Sequence, residues 1–299
     1  MKQKMNHLTL FKALLLISIS ALITSNVFSQ KDEKDTEKDK RPVRSPFESA
    51  LLIDNQTLIV PGKGTLEFDI MHRFGTFENG SSDFWGMWAP SNVRLGLTYS
   101  VINDLSLGIG ATKFNKFVDF NVKWNFLKQT RSWSVPVGIT YYGIVAIDTQ
   151  SENNFDENIH RLSYFNEIIF ATRFNSKLSI QLAPSISHFN AVDSLYVNDI
   201  WAISLGGRYK ISSQSSVIFE YGQQLNSHEV VDSNTGSSLP RPNLAIGIEV
   251  STSSHAFQIF IANFQDILFQ KNFSANTNDF TEGIGQFLLG FNITRLWNF

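Results

Sequence analysis

From Gly64 onward, apolar and polar side chains alternate with a period of two, in segments of roughly 9 to 11 residues, the length a tilted strand needs to cross a bilayer. Leu66, Phe68, Ile70 and Phe74 alternate with Glu67, Asp69, Met71 and Arg73, and Val93, Leu95, Leu97, Tyr99 and Val101 with Asn92, Arg94, Gly96, Thr98 and Ser100. Successive side chains on a strand point to opposite faces, so one face is apolar and the other small or polar. The pattern returns at Leu105 to Gly110, Val118 to Phe126, Val135 to Tyr141, Leu162 to Phe174, Leu178 to His188, Trp201 to Ile211, Val217 to Leu225, Leu244 to Val250, Phe257 to Asn263 and Phe287 to Phe299. This spacing predicts an all-β chain of about twelve strands with no convincing helix, an even count that returns both ends to the same side of a membrane.

Connections supply an independent test, because membrane barrels have short turns at one end and long loops at the other. Asn103-Asp104, Lys128 to Ser132, Asn175-Ser176, Ser212 to Ser216 and Thr252 to Ser254 are short. Between them lie long polar stretches, Gly75 to Pro90, Asp148 to Ile159, Asn190 to Asp199, Asn226 to Arg241 and Gln265 to Gly283; only Lys113 to Lys116 is short on the long side. A soluble β-sandwich would share the alternation. It would carry more Lys and Glu on its polar face, whereas the chain is 17% charged against roughly 25% in ordinary soluble domains. Trp124, Tyr141, Trp201, Tyr209, Tyr221 and Trp297 suit the aromatic girdles of a barrel. The reading is a transmembrane antiparallel up-and-down β-barrel over 64–299, in contact with outer-membrane lipid.

The N-terminus accounts for delivery. Lys2 and Lys4 precede the apolar run Leu8 to Ile23 and a small or polar stretch ending near Ser29, the layout of a signal peptide, 1–29. Its removal takes Lys2, Lys4 and Lys12 and no acidic residue, moving the formal net charge from -2 to -5, which disfavours nucleic acid as a partner. Residues 30–44 carry KDEKDTEKDKRPVR and read as a disordered charged spacer. Residues 45–63, with Leu51, Leu52, Ile53, Leu58 and Ile59, are either a periplasmic lead-in strand or a small plug.

The last strand ends with Phe287, Leu289, Phe291, Ile293, Trp297 and Phe299 on one parity. A terminal Phe closing an alternating strand resembles the signal that the barrel-assembly machinery of Gram-negative bacteria reads, which implies the cell outer membrane. A narrower resemblance rests on His72-Arg73-Phe74-Gly75, on Asn92-Val93-Arg94-Leu95-Gly96-Leu97-Thr98-Tyr99, and on Asn115-Lys116 followed by Lys123 and Gln129. These segments resemble an uncharacterised family of exported outer-membrane β-barrel domains of unknown function, over about Phe47 to the C-terminus. The resemblance implies a fold and a location but no activity. The end of the third strand, Gly108 to Lys113, lacks the Arg such barrels usually carry there.

The chain has no Cys, which removes thiolate metal sites and Cys nucleophiles. No phosphate-cradling Gly loop and no metal-spaced His cluster is present, so neither a cofactor nor a metal is expected. Barrel-wall hydrolysis needs a nucleophile beside a base, and no His is followed by Ser with the spacing of the barrel-wall phospholipases; His72 reads as interfacial and His188 ends a strand. The expected enzyme status is negative. By parity the inward charges are Glu67, Asp69, Asp119, Glu167, Glu220 and Glu249 against Arg73, Arg94, Lys123, Arg161, Arg173, Arg208 and Lys210, a nearly balanced set. Buried charges pair or meet water, which leaves an interior locked by ion pairs or a narrow wet pore for small solutes. A barrel-wall lipid-modifying enzyme and an adhesion barrel with ligand-binding loops are the alternatives.

Overall fold

The computed structural model describes residues 39–231 and 238–299; the expected signal peptide and residues 30–38 lie outside them. Twelve strands hydrogen-bond in sequence order and close on themselves. They are β1 (Thr65–Thr76), β2 (Asn92–Ile102), β3 (Leu105–Thr112), β4 (Phe117–Leu127), β5 (Gly138–Asp148), β6 (Leu162–Arg173), β7 (Leu178–Phe189), β8 (Asp199–Lys210), β9 (Ser215–Gln224), β10 (Asn243–Ser251), β11 (His255–Ala262) and β12 (Leu288–Asn298). Closure is made by β1 against β12, from Thr65 opposite Asn298 to Thr76 opposite Leu288. A closed antiparallel sheet has no unpaired edge and satisfies its own backbone, the condition for a sheet to span lipid.

Burial follows the parity of the sequence. In β1 every second residue from Thr65 is buried and those between are half exposed. The opposite face carries large apolar side chains that remain exposed, among them Leu95, Leu97, Ile109, Phe120, Ile248 and Ile259. An apolar belt of this extent belongs in lipid. Trp124, Trp201 and Tyr209 are exposed on it, as girdle residues would be. Tyr221 is not a girdle residue: it is 2% exposed, its hydroxyl donates to Gln223 (2.8 Å) and its ring meets Phe280 edge-on.

Two elements differ from the sequence reading. The fifth strand runs over Gly138–Asp148 rather than Val135 to Tyr141, because Tyr142, Ile144 and Ala146 face inward against an apolar partner and erase the alternation there. The apolar cluster they join includes the α-helix α1 (Phe269–Ala275) of the long β11–β12 connection, where a loop and no helix is expected; the Phe269 ring of α1 meets Tyr142. Its Phe269 and Phe273 rings pack on Phe165, with centroids 5.3 and 6.1 Å away.

Candidate functional site

Residues 46–59 lie in the barrel interior, buried or half-buried, with partners from strands on every side. At the short-turn end Arg173 of β6 donates to the carbonyls of Arg44 and Ser45 (both 3.2 Å). Residues just before run along the β4–β5 turn, where the Val43 N–H donates to the Gln129 carbonyl (2.9 Å) and the Arg131 N–H to that of Arg41 (3.0 Å). Glu48 then meets Arg208 of β8 (3.0 Å) and Lys210 (3.5 Å).

Farther in, the backbone itself is held. Glu220 of β9 accepts the main-chain N–H groups of Ile53, Asp54 and Asn55 at 2.8, 2.8 and 3.0 Å. The neighbouring carbonyls are taken by side chains of five other strands: Leu51 by Gln258, Ile53 by Asn292, Gln56 by Gln181, Ala50 by Lys123 and Leu58 by Asn125 and Thr140, all within 3.2 Å. Arg73, fully buried beneath the Phe260 ring (4.5 Å), pairs with Asp54 (3.2 Å). A β-wall cannot pair with a chain crossing its lumen through the sheet's own ladder, so side chains supply the bonds that buried main-chain groups require.

Space is provided as well. A Cβ at Gly206 would stand 2.5 Å from the Leu52 side chain, and one at Gly222 would stand 2.6 Å from the Phe273 ring. Glycine at these two inward positions admits the segment from one end and α1 from the other. The two intrusions meet where Asn272 of α1 donates to the Asp54 carboxylate. Phe47, Leu52 and Ile53 join one apolar cluster with Phe260 and Phe264, while Leu51 joins Phe269 and Phe273 in another.

Of the residues expected on the inward face, Arg94 bridges Asp69 (3.0 Å) and Asp119 (2.8 Å), all three buried. Glu249 accepts from Gln258 (2.9 Å) and faces Arg208 (3.4 Å). Glu67, Asp69, Arg94, Lys123, Ala50 and Gln56 border a residual void of about 20 Å³, room for roughly one water. Both carboxylate oxygens of Glu167 are buried without a protein partner. Arg161 stands apart, ending a 3-10 turn in the outer loops, where it donates to the carbonyls of Asp148 and Gln150 and lies over Phe155. No sequence signal marks Asp54, Glu48, Asn272 or Asn292; only the apolar residues of 45–63 point to interior packing.

At the long-loop end, His228 accepts the Val197 N–H at Nδ1 (3.2 Å) and donates from Nε2 to the Ser274 carbonyl of α1 (2.8 Å). Burial holds this imidazole below its ordinary value, against the Ser274 hydrogen bond and with Lys271 adding to the depression. His72 stacks on Phe291 on the outer face (4.9 Å). His188 pairs with Asp199 at 2.8 Å, both exposed at a strand end, and no hydroxyl bonds to His188 among the described residues. No cluster of His, Asp and Glu suited to a metal occurs among the described residues.

The barrel is similar to an outer-membrane channel from Pseudomonas putida F1 (10% identity, TM-score 0.48, 80% of this chain and 97% of that one). It is also similar to the NanC porin (8%, 0.47, 78% and 99%) and to LpxR from Salmonella typhimurium (9%, 0.36, 79% and 100%). A search of curated proteins finds no match. The model of one family, described as a membrane bound beta barrel domain (DUF5777), covers residues 47–297, and the chain belongs to that family.

Proposed function

We propose that this outer-membrane barrel is a gated channel for small solutes, held shut at rest by residues 45–61 from the periplasmic end and by α1 from the outside. The observation that carries the reading is the chemistry of the wall behind the segment. Glu220, Arg73, Lys123, Gln181, Gln258 and Asn292 are buried polar side chains whose partners are chiefly the segment's own backbone and polar groups. A barrel filled for good could use apolar packing at equal or better stability, whereas a lumen that empties must be lined by groups at ease in water. Orphaned wall oxygens on Glu167, Ser106, Ser185 and Ser216 suit the same wet state. The reading includes Glu67, Asp69, Arg73, Arg94, Asp119, Lys123, Glu167, Arg173, Arg208, Lys210, Glu220 and Glu249 as lumen lining. It also includes Phe299, beside Gly64 at the closing seam, as the residue read by the barrel-assembly machinery.

A reversible lock tests it. Asn55 and Ser204 approach to 3.5 Å, and the chain has no other thiol, so Asn55→Cys with Ser204→Cys can tether the segment to β8. In proteoliposomes bearing these two cysteines together with Glu220→Gln, which removes hydrogen bonds that seat the segment, small uncharged solutes should be retained when the pair is oxidised and leak when it is reduced. Equal leakage in both states would reject the gate.

A further inference from the structure

A cavity of about 550 Å³ opens at the long-loop end, within the roughly 300–1,000 Å³ range of small-molecule sites. It is bounded by residues of the β5–β6, β7–β8 and β9–β10 connections and of α1. Three aromatic side chains form walls, and each is braced from elsewhere. Phe155 lies under Arg161 (4.8 Å), Phe189 under the Lys271 ammonium (5.0 Å), and Tyr196 against His228 (4.5 Å). Asp156, Asp193 and Lys271 line the same cavity.

We propose that this vestibule binds a neutral saccharide. The charges select the class by exclusion. An anion would face Asp156 and Asp193, a cation would face Lys271, and a purely apolar ligand would strip water from all three without replacing its hydrogen bonds. A hydroxyl both donates and accepts, so a ring of hydroxyls satisfies carboxylate and ammonium together. The apolar C–H faces of such a ring match aromatic walls already in contact with Arg161, Lys271 and His228, which lowers the ordering cost of binding. Lys271 borders the cavity and the next residue, Asn272, holds Asp54 of the interior segment. The ligand therefore sits one residue from the contact between the two intrusions.

The inference rests on the gated-channel reading for its physiological sense, but its test does not. Calorimetric titration of the mature full chain in detergent uses neutral sugars (glucose, galactose, mannose, maltose), glucuronate as an anion and ethylammonium as a cation. At least one neutral sugar should bind, and Tyr196→Ala and Asp193→Asn should each weaken it about tenfold, the loss of one ring contact or one charge-assisted hydrogen bond, with thermal unfolding unchanged. Absence of binding by every neutral sugar overturns the proposal, as does binding indifferent to both substitutions. Tighter binding of glucuronate, lost in Lys271→Ala, overturns the assigned class. None of these results bears on solute leakage under the reversible lock, so the two readings fail separately.

Discussion

Replacing Glu220 by Gln should unseat the interior segment, and the size of the effect follows from three hydrogen bonds. In the wild-type barrel one carboxylate oxygen receives the N–H groups of Ile53 and Asp54 and the other that of Asn55. A glutamine has one acceptor oxygen. Placed where it serves Ile53 and Asp54, it turns its NH2 toward the Asn55 N–H, leaving a buried donor orphaned at about 1–3 kcal/mol. The two retained bonds lose the charge that roughly doubles their strength, about 1 kcal/mol each. Asp54 and Glu167 lie close enough to repel Glu220, and relief of that repulsion offsets part of the loss. A net cost of about 3 kcal/mol corresponds to roughly a hundredfold shift in the seated-to-unseated ratio. Ala50 is 6% exposed within the segment and the chain has no native thiol, so Ala50→Cys is a unique reporter. Its modification by a membrane-impermeant maleimide should run about a hundredfold faster with Glu220→Gln, the ratio just derived. An unchanged rate in a barrel that still shows folded electrophoretic mobility would refute the reasoning.

Three further outcomes are expected. Protonation of His228 at Nδ1 would destroy its acceptor for the Val197 N–H. Because its folded-state value is depressed, the clamp between the β7–β8 loop and α1 is intact above the ordinary histidine value of about 6.5 and weakens as pH falls below it; the protection factor of the Val197 amide in hydrogen exchange should drop in that window and be pH-independent in His228→Asn. Gly222→Ala places a methyl 2.6 Å from the Phe273 ring, an overpacking cost of about 1–3 kcal/mol; proteolysis within residues 265–287 should quicken while barrel unfolding in urea stays put. Arg94→Met strands Asp69 and Asp119 as unpaired buried carboxylates and should lower stability by about 3–5 kcal/mol, recovered when both are also replaced by Leu; a urea midpoint unmoved by the single change would contradict the pairing.

Most of the barrel was legible because a strand buried on one face declares itself residue by residue. Arg94 and Asp119 could be assigned to a shared inward face from parity alone. Where both faces are apolar the signal fails: Tyr142, Ile144 and Ala146 join the interior apolar cluster that holds Leu51 and α1, so alternation alone misplaces β5. The helix, Phe269–Ala275, spans two turns, too short to establish a 3.6-residue period. The contacts that matter most to the interior were the least legible. Glu220 binds main-chain N–H groups 165 to 167 residues away, and a backbone donor has no sequence signature. Arg161 shows the opposite error, since parity extended one residue past the start of β6 put a loop side chain on the wall.

Closure of the interior by residues 45–61 is the central claim, and single-channel recording in a planar bilayer tests it most directly. The mature full chain should insert and remain silent at rest, while the same chain lacking residues 45–61, in which α1 loses its Asp54 and Leu51 partners, should show discrete current steps. Identical steps from both chains, or an inserted but silent deletion variant, would contradict the account.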